Sequence, residues 1–137
     1  MAITTVKKQD VVYSDLRKDM LINPVNSDVS RYTDEDSVKE SIKNLLLTDT
    51  GERLFNPNLG SNIRKLLFEN IIYPETKVLL KESISTTIAN FEPRCNLISV
   101  DITDISNDQN SVTITITFNI INIQTPIVLN VVLSRVR

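Results

Sequence analysis

The strictest constraint on the fold is a period-two alternation near the end of the chain. From Ser111 to Ile120, apolar residues alternate with threonine and asparagine. Because successive side chains of a strand point to opposite faces, this pattern predicts a sheet with one buried and one wet side. Similar alternation in 97–105 and 127–133 predicts two more strands. Polar turns at 107–110 and 122–126 would make them an antiparallel meander, with Ile98, Val100 and Ile102 together on the buried face.

The preceding residues carry helical rather than alternating patterns. Residues 38–49 place apolar side chains at helical spacing, behind three acidic residues that favour a helix start. We expect this helix to end near Thr50–Gly51, with Gly51 in a left-handed cap. A short second helix follows Ser61–Asn62. A third begins at Pro74 and ends at Phe91, since the residue before Pro93 disfavours helical backbone.

Helices come first and strands last, so the sequence predicts an α+β fold. The helices at 38–49 and 75–91 are expected to cover the apolar face of the sheet. Residues 1–33 are weakly patterned and are predicted to be a partly extended N-terminal arm. Residues 34–137 are predicted to form a single domain, and the 137-residue length agrees with this.

Composition removes several classes of function. The chain has no histidine, two glycines and one cysteine, which argues against a Ser-His-Asp site, a His-ligated zinc and a Gly-rich phosphate loop. We therefore predict no catalytic residues, metal, cofactor or small-molecule ligand. With a net charge of −2 and no basic run, neither nucleic acid nor a membrane surface is an expected partner. The N-terminus lacks the apolar stretch of a secretion signal.

A glycoside hydrolase remains the alternative from the enzyme class. Two carboxylates suffice for that chemistry, and Glu52, Glu69 and Glu92 are available. A chain with 17 acidic residues offers many such pairs, so the signal is weak, and there is no tryptophan to form a sugar platform. Cys95 has no histidine to activate it and is predicted to be a buried, inert thiol.

Two charged motifs are candidate protein-binding sites. In the Glu-Pro-Arg corner, residues 92–94, Pro93 restricts the backbone, so that Glu92 and Arg94 leave it in set directions and can make charge-assisted contacts. In the GER loop, residues 51–60, Glu52 and Arg53 can face a partner from a surface loop. The simpler interpretation of both motifs is a helix stop flanked by solvated charges.

The same motifs resemble a known family. The segments YSDL (13–16), SIKNLLLT (41–48), GERLFNPNLGSNIRKLLFE (51–69) and FEPR (91–94) look like those of the T4-type baseplate wedge family, called gene product 25 or sheath initiator. The resemblance covers roughly residues 11–133. Cys95 stands where the family would have an aliphatic residue, and the N-terminal arm is somewhat long for the family.

The resemblance implies a non-enzymatic subunit of a contractile tail, located in the virion baseplate and assembled in the host cytoplasm. It would join the wedge scaffold to the first sheath ring, with tail-tube initiator proteins as further neighbours. It assigns Glu92, Pro93 and Arg94 to contacts with the wedge scaffold, and it implies a sheet extended by strands of sheath subunits. An exposed edge in 126–133 or 11–16 could serve that pairing. A sheath-like tail subunit and a muramidase-type glycosidase stay open as alternatives.

Overall fold

A computed structural model describes residues 12–68, 74–104, 111–121 and 123–134. The predicted turn at 107–110, residue 122 of the second turn and residues 1–11 of the predicted arm lie outside these ranges. The elements follow one another as β1 (Ser14–Leu16), β2 (Arg31–Thr33), α1 (Asp34–Leu47), α2 (Ile63–Phe68), α3 (Pro74–Phe91), β3 (Cys95–Asp104), β4 (Ser111–Ile120) and β5 (Ile123–Ser134). The α+β class predicted from the order of the patterns is confirmed.

The chain divides into two compact units, with the boundary between Ser37 and Val38. In the first unit, β1 and β2 form a two-stranded antiparallel sheet that pairs Ser14 with Thr33. Asp34 connects the end of β2 to the residues before β1. Its carboxylate accepts hydrogen bonds from the backbone N–H groups of Val12 and Tyr13, at 2.9 and 3.2 Å. The backbone of Asp34 has φ of 43°, a left-handed conformation that aspartate tolerates better than most residues.

The second unit contains an antiparallel sheet in the order β3-β4-β5. Its central strand β4 alternates strictly, with five buried side chains on one face and half-buried polar ones on the other. α3 packs against β3, and α2 contacts α3. Both helices and strands of this unit contribute to its core, and its most fully buried apolar side chains are Val38, Ile42, Leu46, Ile63, Leu80, Ile84, Ile88, Ile114, Ile116, Phe118 and Ile120.

A bulge in β3 corrects one expectation from the sequence. Leu97 pairs with Phe118, but the next pair in register is Ser99 with Thr117. Ile98 is therefore the extra residue, and it is 55% exposed rather than on the buried face. The insertion shifts the alternation by one position, so Cys95 lies on the buried face before the bulge and Val100 after it.

The first long helix also ends earlier than predicted. α1 stops at Leu47, and the Thr48 side chain donates to the carbonyl of Asn44 at 2.8 Å. The carbonyl of Thr48 then accepts from the backbone N–H of Ser61 at 2.9 Å, which directs the chain into a loop instead of another turn. Gly51 does have a positive φ, 92°, but it lies four residues beyond the helix in a turn and does not cap α1.

Candidate protein-binding sites

The Glu-Pro-Arg corner lies where α3 ends and β3 begins. The N–H of Glu92 still donates to the carbonyl of Ile88 at 2.9 Å, so Glu92 extends the last helical turn. Pro93 follows and cannot continue that hydrogen-bond series. The N–H of Cys95 donates to the carbonyl of Glu92, at 3.4 Å, and the N–H of Ile121 donates to the carbonyl of Arg94 at 3.1 Å. The corner is thereby tied to the end of β4.

The charged side chains of the corner bind each other. Glu92 is only 3% exposed, although it is a carboxylate beside a proline. Its two oxygens accept hydrogen bonds from Nε and from a terminal nitrogen of Arg94, at 2.5 and 2.9 Å. This is the bidentate geometry in which a guanidinium and a carboxylate interact most strongly. A third donor, the hydroxyl of Ser41 on α1, reaches the same carboxylate at 2.5 Å.

These contacts determine the protonation state of Glu92. Burial alone would raise its pKa, but hydrogen bonds from Arg94 and Ser41, together with the positive charge of Arg94, hold the pKa below its ordinary value. Glu92 is therefore ionised at neutral pH despite being buried. It orients Arg94, whose side chain remains 30% exposed. Of the three corner residues, Arg94 is the one whose charged side chain combines a fixed direction with access to solvent.

Cys95 follows the corner and is buried, as predicted from its lack of an activating partner. Its thiol lies 3.6 Å from the carbonyl oxygen of Glu92. Burial, with the nearby charge of Glu92, raises the pKa of this thiol to about 11. The thiolate, which is the reactive form, is thus scarce at neutral pH. Cys95 fills space beside the corner and contributes no nucleophile.

The GER loop is closed at its base by backbone hydrogen bonds. Asp49 and Ser61 form an isolated parallel bridge, and the buried hydroxyl of Ser61 donates to the carbonyl of Leu46 at 2.7 Å. Within the loop, the N–H of Gly51 donates to the carbonyl of Pro57 at 2.8 Å. Gly60 has φ of 133°, and a Cβ there would lie 2.7 Å from the carbonyl oxygen of Thr48. Only glycine fits such a close approach of two backbone segments.

The structure gives the two charged residues of this loop different positions. The carboxylate of Glu52 accepts a hydrogen bond from the N–H of Asp49 at 3.0 Å, so it helps to close the base. Arg53 is exposed on the loop surface. The two residues after it are also exposed, although both are apolar: Leu54 at 93% and Phe55 at 102%. This pair was not among the residues predicted from the sequence to bind a partner, although two adjacent large apolar residues between Gly51 and Pro57 are a visible signal.

No group of three histidine, cysteine, aspartate or glutamate side chains within the described ranges could hold a metal ion. No helix in the same part of the chain is long and apolar enough to cross a membrane. The described residues do contain one buried, internally paired charge cluster and one hydrogen-bonded loop with exposed apolar side chains.

Comparisons with known proteins connect this fold to contractile injection machines. The structure matches a chain in the baseplate of the anti-feeding prophage with a TM-score of 0.70 at 25% identity, covering 82% of this chain and 88% of that one. A chain of the post-contraction pyocin R2 baseplate shares the fold, with a TM-score of 0.57 at 17% identity, covering 72% and 95%. The molecule therefore has the fold of small α+β chains that are found in contractile-tail baseplates.

Sequence comparisons identify the family. The family model described as baseplate wedge protein gp25 matches residues 33–124. The baseplate wedge protein gp25 of Enterobacteria phage T4 is 32% identical over 97 residues, which are 71% of this chain and 72% of the phage protein. This chain belongs to the baseplate wedge protein gp25 family, as the resemblance implied.

One further neighbour carries an enzyme name. A protein of Geobacter sulfurreducens, named a candidate tail lysozyme, matches with a TM-score of 0.68 at 25% identity, covering 75% of this chain and 92% of that one. A shared fold does not transfer an activity. In this chain, the buried carboxylate of Glu92 is bonded to Arg94 and Ser41. Its lowered pKa is the opposite of what a general acid for glycoside hydrolysis requires.

Proposed function

We propose that this chain is a non-enzymatic wedge subunit of a phage-tail baseplate that links the wedge scaffold to the first ring of the contractile sheath and templates sheath polymerisation. Its site of action would be the tail baseplate of the virion, after assembly in the host cytoplasm. Membership of the gp25 family supports the baseplate part of this proposal. Wedge-scaffold proteins and sheath subunits would be its direct partners, with tail-tube initiator proteins as further neighbours.

The proposed role as a template for the sheath is supported by the position of β5 at the edge of its sheet. This strand is the last of the β3-β4-β5 sheet and pairs only with β4 among the described residues. An edge strand presents unpaired backbone groups that can accept another strand. On its outer face Val128 and Val132 are 54% and 61% exposed, so an added strand would also find apolar side chains to pack against.

The segment at 11–16 is a weaker candidate for the same role. Its described part forms β1, which pairs with β2 in a separate two-stranded sheet. Strands of three residues offer few backbone groups to a partner. A strand donated by a sheath subunit would therefore extend the sheet along the twelve-residue β5.

We expect the chain to bind the wedge scaffold through the Glu-Pro-Arg corner and the GER loop. In the Glu-Pro-Arg corner, Arg94 would contact the scaffold, while Glu92 and Pro93 hold its guanidinium in place. Prior ordering of the arginine lowers the entropic cost of binding. In the GER loop, Arg53 would contact the scaffold, while Glu52 acts through the loop base.

A separation-of-function experiment tests this proposal. The double substitution Val128→Lys/Val132→Lys places charge along β5, and it should leave wedge attachment intact but block sheath polymerisation. Arg94→Lys keeps the charge beside Glu92 but loses the bidentate fork, and it should block wedge attachment instead. Both would be scored by electron microscopy of assembled tails and by co-purification with the wedge proteins.

The matched control is Val78→Lys, at a 63% exposed position on α3. It should assemble normal tails. Sheaths of normal length from the β5 variant would refute the template role of this strand. Normal wedge assembly by the Arg94 variant would refute the proposed role of Arg94 in docking. Hydrolysis of purified peptidoglycan that a single carboxylate substitution abolishes would refute the non-enzymatic assignment altogether.

A further inference from the structure

The tip of the GER loop exposes two large apolar side chains without any cover from the described chain. Leu54 and Phe55 are 93% and 102% exposed, as accessible as in an unfolded peptide. Isolated exposed apolar residues are common on protein surfaces. Two adjacent exposed apolar residues on a constrained turn are better suited to binding a partner. The turn has already lost the conformational freedom that binding would otherwise remove, so the entropic cost of binding is lower.

The loop base provides that rigidity. The hydrogen bond from Gly51 to Pro57 closes a short turn around the tip, and the N–H of Leu59 donates to the carbonyl of Asn56 at 3.1 Å. The carboxylate of Glu52 and the close packing at Gly60 fix the two ends of the loop. Two backbone hydrogen bonds, one hydrogen bond to a side chain and one close backbone approach thus hold the loop, and none of them involves the side chains of Leu54 or Phe55.

The geometry points to a partner of defined chemistry. Leu54 and Phe55 lie in a turn, and turn backbone cannot add to the edge of a sheet as an extended strand does. The contact must therefore be made by side chains, and an aromatic residue beside a leucine fits an apolar pocket. Arg53 is exposed next to them. Glu52 is exposed as well, but its carboxylate accepts the N–H of Asp49 at the loop base, so the charge directly beside the apolar pair is the positive one of Arg53.

We propose that Leu54 and Phe55 insert into an apolar pocket with an acidic rim on another subunit of the baseplate. This inference rests on the proposed function, since it takes its partner from the wedge. It also changes the role of the loop: the binding residues are the apolar tip with Arg53, and Glu52 positions them. A membrane is a poor alternative, because two apolar side chains and one arginine bury little area and the chain as a whole is acidic, with net charge −2.

The absence of tryptophan from the chain allows a direct test. Phe55→Trp places the only tryptophan at the tip, where its emission should be that of an indole in water and readily quenched by iodide. On addition of the cognate wedge proteins, the emission should shift to the blue and most of the quenching should disappear. Val78→Trp is the matched control: its exposed position on α3 should show neither change.

A second measurement uses affinity. Phe55→Ser should weaken binding to the wedge proteins by roughly tenfold or more, as expected for an aromatic anchor. Arg53→Glu should weaken it by a smaller factor that declines at high salt. Phe55→Leu, which keeps an apolar side chain, should restore most of the affinity.

The possible outcomes separate this inference from the function on which it rests. If the wild-type chain binds the wedge proteins while Phe55→Trp stays quenchable and Phe55→Ser binds equally well, the tip does not dock and only this inference fails. If the blue shift appears when the concentration of this chain is raised without wedge proteins, the partner of the tip is a second copy of this chain and not a wedge subunit. If the wild-type chain does not bind the wedge proteins at all, the proposed function fails and this inference with it.

Discussion

Glu92-Pro93-Arg94 and Gly51-Glu52-Arg53 each bring a glutamate and an arginine close together in the sequence. In the Glu-Pro-Arg corner, Glu92 is nearly inaccessible and binds the partly exposed Arg94. In the GER loop, Glu52 closes the base, Arg53 is exposed, and the apolar Leu54 and Phe55 face water. Similar composition thus gives an internal polar cluster in one region and an external apolar tip in the other.

The difference comes from what surrounds each motif. The corner follows a helix whose inner face is core, so continuing the helix carries Glu92 into the interior. Its carboxylate is tolerated there because Arg94 and Ser41 supply donors. The loop follows a helix that ends at Leu47, after which the backbone turns back on itself through the bridge between Asp49 and Ser61. Its tip therefore protrudes with nothing from the described chain to cover it.

Among changes to the two motifs, the largest effect should come from breaking the buried pair of Glu92 and Arg94. Arg94→Met leaves the Glu92 carboxylate buried with Ser41 as its remaining side-chain donor, and the free energy of unfolding should fall by about 2 kcal/mol. This lies below the usual cost of an orphaned buried charge because Arg94 is partly exposed. The double variant Glu92→Gln/Arg94→Met removes both charges and should recover about half of the loss. Urea denaturation followed by circular dichroism measures both values. An unchanged stability of Arg94→Met would show that the pair is not structural.

A smaller effect should appear as a dependence on pH. Because the folded protein holds the pKa of Glu92 below the ordinary value of 4.5, the unfolded chain binds more protons as the pH falls past that value. The contribution of Glu92 to stability is therefore complete above pH 4.5 and is lost as the pH falls through the lower folded pKa. The stabilities of wild type and Glu92→Gln should differ at neutral pH and converge in acid. A constant difference across this range would contradict the lowered pKa.

The contrast between the two regions also shows what a single sequence can reveal. Local patterns predicted the end of α3 before Pro93 and the alternating faces of β4 and β5, because those depend on backbone chemistry and on period-two burial. The binding role of the Glu-Pro-Arg corner and of Glu52 and Arg53 stays a prediction. Their geometry was not predictable, since the hydrogen bond between Ser41 and Glu92 joins residues 51 positions apart.

Other features escaped prediction for local reasons. The bulge at Ile98 is not visible in the alternation of the sequence. It exposes Ile98 and reverses the faces of the β3 residues before it, whereas Val100 lies on the buried face as predicted. The segment 11–16 was named as a possible edge strand, but its pairing with β2 was not predicted, because strands of three residues are too short for any period to be visible. Glu52 is exposed, but its hydrogen bond to the backbone N–H of Asp49 was not predicted, because nothing in the spacing of residues 49–52 indicates a side chain folded back onto the backbone.

The smallest effect should come from the loop tip and would complete the comparison. Phe55→Ala removes a side chain that contributes no burial, so the free energy of unfolding should change by less than about 0.5 kcal/mol. Phe118→Ala is the matched control, since Phe118 is fully buried in β4 and its loss should cost about 4 kcal/mol. Thermal or urea denaturation of both variants would measure the contrast. A loss of more than about 1 kcal/mol in Phe55→Ala would mean that Phe55 packs within the chain, and the proposed insertion into a partner would lose its exposed anchor.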